Sequence, residues 1–437
     1  MEQAHLESQY PSPRYAWYVV ALLLVANVSA HVDRQILSLL VDPIKQDLGV
    51  SDTRMGLLIG SSFGLFYATL GLPLGRLADS WNRRNIIALG IALWSLMTAL
   101  FGVAKGYLQL LLARTGVGVG EAALIPPAVS LLGDLFPPKR LATAISFFSA
   151  AVFIGSGLAY YISGVTVDAV SGMVAPTLPI VGIIRPWQAV FLVVGLPGLV
   201  IAALVALTVR EPERRGVAGA TIRETVAHLT KFRAAFLCLT LGYAIYTIVN
   251  YGTAAFLPSY FRRVHGWTAS EIGLFMGGGT TIFGTLGIIS GGWLADRWRD
   301  RGVIGSRLLI GTVGALGALA SGAALYTTRD DTTAKLLLIP LNIFHALPFG
   351  AAPAALVDLA PARMRGQITA LFYFAINVIG FTLGPVAVGQ FTDRVYGDNG
   401  VGYSILTVAA IFLPIAALLL AIGSRVYGAA LRRLQAA

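Results

Sequence analysis

The run G-R-L-A-D-S-W-N-R-R, residues 75–84, returns 217 positions later as G-W-L-A-D-R-W-R-D-R, residues 292–301. The same shift, without a gap, aligns residues 40–84 with 257–301 and leaves 12 of 45 positions identical. Among them are Gly49/Gly266, Gly56/Gly273, Gly60/Gly277, Asp79/Asp296 and Trp81/Trp298. The chain is therefore an internal parallel repeat, and its fold has to be two copies of one unit.

Composition says what kind of unit. Of 437 residues, 56% are hydrophobic and 12% charged, against about 25% charged in a soluble domain. Apolar segments of membrane-spanning length occupy residues 16–40, 55–78, 85–104, 107–132, 141–165 and 187–209. After a charged linker, six more occupy 234–257, 270–295, 307–327, 334–357, 367–390 and 402–427. The expected fold is all-α and integral to the membrane: twelve transmembrane helices in two pseudo-symmetric six-helix bundles, 16–209 and 234–427. Residues 1–15 and 428–437 form inner tails, and 210–233 is the linker. Tyr15, Trp17 and Tyr18 suit an interfacial aromatic belt. With both ends inside, 21 Lys and Arg residues fall on the inner side and 9 on the outer, the asymmetry that orients membrane proteins. The expected location is a plasma membrane with both termini cytoplasmic. The first 15 residues lack the pattern of a signal peptide.

The net charge of +11 is scattered through short loops and makes no patch with interleaved aromatics, which argues against nucleic acid. Cys238 is the only cysteine, so no internal disulfide forms. In the linker, Ile222, Val226 and Leu229 keep helical spacing with Arg223, Lys231 and Arg233 around them. That pattern fits a helix on the inner membrane surface and equally a solvated connector.

The chemistry concentrates at residues 114–122, R-T-G-V-G-V-G-E-A. Arg114 and Glu121 stand nearly two turns apart on one helix face, at membrane depth. Charges there are costly and face a partner or a water-filled path. The alternating glycines let a neighbouring helix approach closely. They do not make a phosphate loop, because no strand precedes them and no Walker lysine follows.

Helix one carries Asp33 and Arg34. At 1.5 Å per residue, Asp33 rises about 20 Å from the inner boundary while Arg114 descends about 10 Å from the outer one, so the two share a level. Asp33 with Arg114 is the expected first pair. Adjacent helix residues point apart, so Arg34 takes Glu121 or a substrate anion. Two acids and two bases cancel. Asp33 and Glu121 are the expected proton-coupling groups, and Arg34, Arg114 and Glu121 the expected head-group contacts.

The second half carries no such charges: Asp33 and Arg34 correspond to Asn250 and Tyr251. Tyr243, Tyr246, Thr247, Asn250, Asn342, His345, Tyr373 and Asn377 supply neutral polar and aromatic groups, of which Tyr246, Asn250, Asn342, Tyr373 and Asn377 are the expected substrate contacts. Each fits helix packing as well. His31 points to another face than Asp33. Pro126, Pro127, Pro348, Pro353 and Pro385 interrupt spans, as membrane helices allow beside cavities.

The two copies at residues 75–84 and 292–301 resemble the signature loops of the major facilitator superfamily. The resemblance implies conformational latches at Asp79, Arg83, Arg84, Asp296, Arg297 and Arg301, with each carboxylate gripping the positive end of a neighbouring helix. Asn27, Asp33-Arg34, the 114–122 run, Gly133-Asp134-Leu135-Phe136 and Gly155-Ser156-Gly157 are similar to the spinster-like branch over roughly residues 20–165. Spinster-like proteins are associated with lysophospholipids and sphingosine-type lipids. The implied function is secondary transport of such an amphipath by alternating access, by a single chain, without cofactor, metal or enzymatic step, with proton exchange or downhill flow both open. A carrier of small organic anions or drugs is the rival reading, and a non-transporting receptor or scaffold a third.

Overall fold

The computed structural model describes residues 10–171, 177–178, 182–214 and 221–435. Twelve long helices are numbered here in chain order. The first six are α1 (Pro13–Leu39), α2 (Asp52–Ala78), α3 (Arg83–Phe101), α4 (Tyr107–Leu135), α5 (Pro138–Ser171) and α6 (Pro186–Thr208). The second six are α7 (Arg233–His265), α8 (Ala269–Asp300), α9 (Ser306–Thr327), α10 (Asp331–Leu359), α11 (Arg365–Tyr396) and α12 (Val401–Gln435). Among the described residues, eleven helices are long and apolar enough to cross a membrane; α5, of 34 residues, completes the expected twelve. Leu108, Leu207 and Ile289 are 65%, 83% and 63% exposed, as outward side chains are when the surrounding medium is hydrocarbon.

The chain clusters into two compact units. The first comprises residues 1–50, 62–217 and 268–277; the second comprises 51–61, 218–267 and 278–437. The opening turns of α2 thus pack with the second unit, and those of α8 with the first.

The repeated glycines explain why. Gly49 ends the short helix Val41–Leu48 and Gly266 ends α7, both with positive φ, 61° and 70°, where only glycine avoids strain. One turn into α2, a Cβ on Gly56 would meet the Pro385 carbonyl oxygen at 2.4 Å, and one on Gly60 would meet that of Phe381 at 2.2 Å. In α8, Gly273 and Gly277 stand equally close to the carbonyls of Tyr160 and Gly157, at 2.6 and 2.5 Å. Each copy therefore uses its glycine pair to lay one backbone against another: α2 on α11, α8 on α5. The core of the second unit gathers Phe236, Tyr243, Leu308, Leu356, Phe372, Leu420 and Tyr427 from α7, α9, α10, α11 and α12.

The start of α2 is held from outside its own helix. Asp393 of α11 accepts the backbone N–H of Asp52 at 2.9 Å through Oδ1 and that of Thr53 at 2.7 Å through Oδ2. Two orphan donors of the first turn are thereby satisfied by an anion at the positive helix end. The Asp52 carboxylate, fully buried, receives both arms of Arg263, Nη1 to Oδ2 at 2.9 Å and Nη2 to Oδ1 at 2.7 Å.

The linker holds a helix, Ile222–Lys231; residues 215–220 lie outside the described residues. The Thr221 backbone amide, with its hydroxyl, holds the Glu224 carboxyl below the usual carboxylate range.

Removing one side of the buried Asp52–Arg263 fork strands the other charge. Asp52→Asn is expected to lower stability by about 3–5 kcal/mol, read from the unfolding midpoint in detergent. The double replacement Asp52→Leu with Arg263→Met is expected to recover most of that loss.

Candidate functional site

The first unit brings together the charges expected from α1 and α4. Arg34 Nε and Nη2 both reach Glu121 Oε2, each at 2.5 Å. The Glu121 side chain is 1% exposed and that of Arg34 21%, so Arg34 alone of the four offers appreciable surface, Asp33 and Arg114 being 2% and 3% exposed.

The other pairing differs from expectation. Arg114 sends Nη1 to the backbone carbonyl of Asp33 at 3.4 Å and not to its carboxylate. The common level of the two residues is right, but it is the backbone carbonyl that Arg114 bonds. Asp33 instead takes the Thr98 side chain of α3. Asp33 Oδ1, Arg114 Nε and Glu121 Oε1 are buried and have no hydrogen-bond partner among the described residues. Unsatisfied buried polar atoms are expensive. Three of them around one ion pair mark a place where a ligand, a proton or water would be stabilising.

Two aromatic rings that the sequence reading missed complete the site. Phe63 and Tyr67 of α2 stack at 5.3 Å between centroids. The Arg34 guanidinium lies 4.8 Å from each ring centroid, and the Arg114 guanidinium 4.7 Å from that of Phe63. Phe63 thus stands between two cations, a contact worth about 2 kcal/mol or more when desolvated. The glycine run of α4 puts it there. A Cβ on Gly118 would meet the Phe63 carbonyl oxygen at 2.7 Å, one on Gly116 would meet Met97, and one on Gly120 would meet the backbone of α3. The missed signal was Phe63 and Tyr67, one helical turn apart on α2.

The helix breaks immediately past the site. Its first segment ends at Ala122, and Ile125–Leu135 begins a second one with prolines at the start. Pro126 and Pro127 have no N–H to continue the ladder, so the carboxylate of Glu121 sits at the end of a helical segment. His31 donates its Nδ1–H to the Asn27 carbonyl, 2.8 Å away, within its own helix.

In the second unit, Tyr246 faces helix α10. It is 1% exposed, and its hydroxyl lies 3.0 Å from both the Phe344 and His345 carbonyl oxygens. Pro348 lacks the N–H that would otherwise take the Phe344 carbonyl. Tyr246 supplies that missing donor, a helix-packing contact. Asn342 donates to the Leu338 carbonyl at 2.8 Å, and Asn377 accepts from Tyr251 at 2.9 Å. Tyr251 stacks on Phe381 at 3.7 Å. Asn250 and His345 are half-buried and Tyr373 is 41% exposed.

The latch residues are arranged otherwise than expected. The Asp79 side chain lies outside the described residues. Arg83 is buried and grips Asp134 at the end of α4 at 2.5 Å and Glu211 at 2.7 Å, while Glu211 also accepts the Arg84 amide at 3.1 Å. Asp296 is 71% exposed and approaches Arg307 only to 3.9 Å. Arg297 and Arg301 are exposed. Arg307, at the start of α9, binds Asp358 near the end of α10 at 2.6 Å, and Arg299 and Tyr427 join the same carboxylate. In both units, then, an aspartate near the C-terminal end of one helix holds the arginine that opens another. Each pair is 51 residues apart, a common spacing that the sequence reading missed.

The sequence profile of the family described as Major Facilitator Superfamily matches residues 23–385. The chain is 28% identical over 403 residues to an MFS-type efflux pump of Mycolicibacterium smegmatis, covering 91% of this chain and 90% of that one. It is 27% identical over 394 residues to a probable L-galactonate transporter of Escherichia coli, covering 86% and 83%. The crystal structure of a bacterial homolog to the human lysosomal transporter spinster, in an inward-facing and unoccupied conformation, superposes with a TM-score of 0.80 at 27% identity, over 97% of this chain and 98% of that one. The spinster-like resemblance read from residues 20–165 therefore extends through the second half.

Because Tyr246 caps a carbonyl that Pro348 frees, Tyr246→Phe is expected to cost about 0.6–1.7 kcal/mol of stability and to leave the transport rate unchanged. Thermal unfolding and vesicle flux, measured on the same preparation, check both halves of that expectation.

Proposed function

We propose a substrate class and a coupling mechanism for this chain, which belongs to the Major Facilitator Superfamily and is a multi-pass membrane transporter. The substrate is an amphipath with a charged head, lysophospholipid- or sphingosine-like, moved by alternating access by a single chain with both termini cytoplasmic. The observation that carries this reading is the Arg34–Glu121 pair: a guanidinium one-fifth exposed, pinned by a buried carboxylate and flanked by two stacked aromatic rings.

An anionic head arriving at Arg34 competes with Glu121 for the same donors. Carboxylate and phosphate fit the guanidinium fork equally well. Phe63 and Tyr67 give the adjoining part of the substrate an apolar wall. Once displaced, Glu121 is a buried carboxylate with neither oxygen bonded, a state that neutralises itself by taking a proton. Substrate binding and proton uptake are thereby linked. Asp33, whose Oδ1 already has no partner among the described residues, is the second proton acceptor.

A specific observation also favours small organic acids: an exposed guanidinium serves any carboxylate, and one relative is described as a probable L-galactonate transporter. Vesicle experiments separate the two. Purified protein in liposomes is expected to move a labelled lysolipid, faster under a pH gradient. Arg34→Ala should reduce the rate at least 10-fold, about the 1.4 kcal/mol of one charge-assisted hydrogen bond. Glu121→Gln should abolish the response to the gradient. Lysolipid flux equal to that of empty vesicles, with flux of a sugar acid instead, would replace the amphipath by the small acid. Unchanged pH response in Glu121→Gln would contradict the coupling.

A further inference from the structure

The linker helix Ile222–Lys231 has ten residues, too few to be stable alone in water. Its start is fixed by a capping box: Glu224 Oε2 accepts the Thr221 N–H at 2.8 Å, and Thr221 Oγ1 accepts that of Glu224 at 3.3 Å. One side lies on the protein. Thr225 is buried, Leu229 packs on the core of the second unit, and His228 Nε2 meets the Leu359 carbonyl at 2.7 Å.

At about 100° per residue, the rest of the surface divides in two. Ile222 and Val226, one turn apart, form a stripe beside the protein-facing side and are 60% and 51% exposed. Arg223, Ala227 and Lys231 lie beyond them, all exposed. A connector between protein and water needs two faces, one apolar and one polar. This helix has three: one against protein, one apolar and bare, one charged.

The bare stripe adjoins the bilayer. Transmembrane helix α7 begins at Arg233, two residues after the linker helix ends, and its Leu237 already points outward at 55% exposure. Exposed basic groups surround the stripe: Arg223, Lys231, Arg233, and Arg363, whose charge is felt at Glu224. We infer that the linker helix is a membrane-docking element, with Ile222 and Val226 seated at the acyl–headgroup boundary of an anionic leaflet and Arg223, Lys231 and Arg233 on its phosphates. An amphipathic helix of this kind binds through buried apolar area and through attraction to anionic lipid.

Site-directed spin labelling tests this directly, because Cys238 is the only native cysteine. In a Cys238→Ser background, labels are placed at Val226→Cys and, on the charged face, at Ala227→Cys. The full-length protein is reconstituted into phosphatidylcholine vesicles, with or without phosphatidylglycerol. The label at 226 is expected to collide with oxygen, which concentrates in lipid, more than with a water-soluble nickel chelate, and the label at 227 to show the reverse. Phosphatidylglycerol should shield 226 further, and the pair Arg223→Gln with Lys231→Gln should erase that increment. A label at 226 as open to the chelate as that at 227 would overturn the docking. A contrast between 226 and 227 that ignores phosphatidylglycerol would overturn the anionic partner.

Discussion

A buried carboxylate at membrane depth must find a cation, and the first unit is built around that requirement. Glu121 and Arg34 meet with both nitrogens on one oxygen, and every nearby feature of α4 serves the meeting. The glycines at 116, 118 and 120 let α2 and α3 come close enough to put Phe63 between Arg34 and Arg114. The two prolines after Leu124 end the first helical segment, so that Glu121 is not locked in an unbroken rod. The pair is incomplete by design: Oε1 of Glu121 and Oδ1 of Asp33 lack partners among the described residues. A fully satisfied network would stabilise one state; an underbonded one leaves room for a second.

Elsewhere the same economy of backbone groups sets the packing. Pro348 in α10 and Pro385 in α11 each free a carbonyl that a neighbouring helix approaches. Tyr246 donates to the carbonyl that Pro348 leaves open. The Phe381 carbonyl, four residues before Pro385, faces Gly60 at a separation that no Cβ would permit. The tyrosine hydroxyl supplies a donor to an acceptor in a medium without water, while the glycine only lets the two backbones come close.

The fold was legible because its signals are local or periodic. Hydropathy located twelve spans, and the 217-residue shift exposed the repeat; Gly49 and Gly266 then proved to hold the same left-handed turn in both copies. Arg34 with Glu121 was legible too, since charge in a span narrows the choice of partners to a few. What failed depended on side-chain direction. The level of Asp33 and Arg114 was read correctly, yet helix rise says nothing about which side of α1 the carboxylate takes. The bond of Tyr246 to the Phe344 carbonyl was equally out of reach, because a tyrosine in a span looks the same whether it bonds a ligand or a carbonyl. The arginine–aspartate clasps, Arg83 with Asp134 and Arg307 with Asp358, are both 51 residues apart, a recurrence that stands out only once the partners are known. Phe63 and Tyr67 escaped notice because a contact between helices leaves no local period in the sequence.

The central claim is that a substrate anion takes Arg34 from Glu121 and that Glu121 then takes a proton. Proton exchange during binding measures it most directly. A weakly buffered detergent solution of the protein, containing a pH indicator, is titrated with the anionic amphipath. The account predicts uptake of about one proton for each anion bound, as linkage requires of a group that is ionised before binding and neutral after it, and no uptake by Glu121→Gln at the same occupancy. Saturable binding with no proton taken up by the unaltered protein would contradict it.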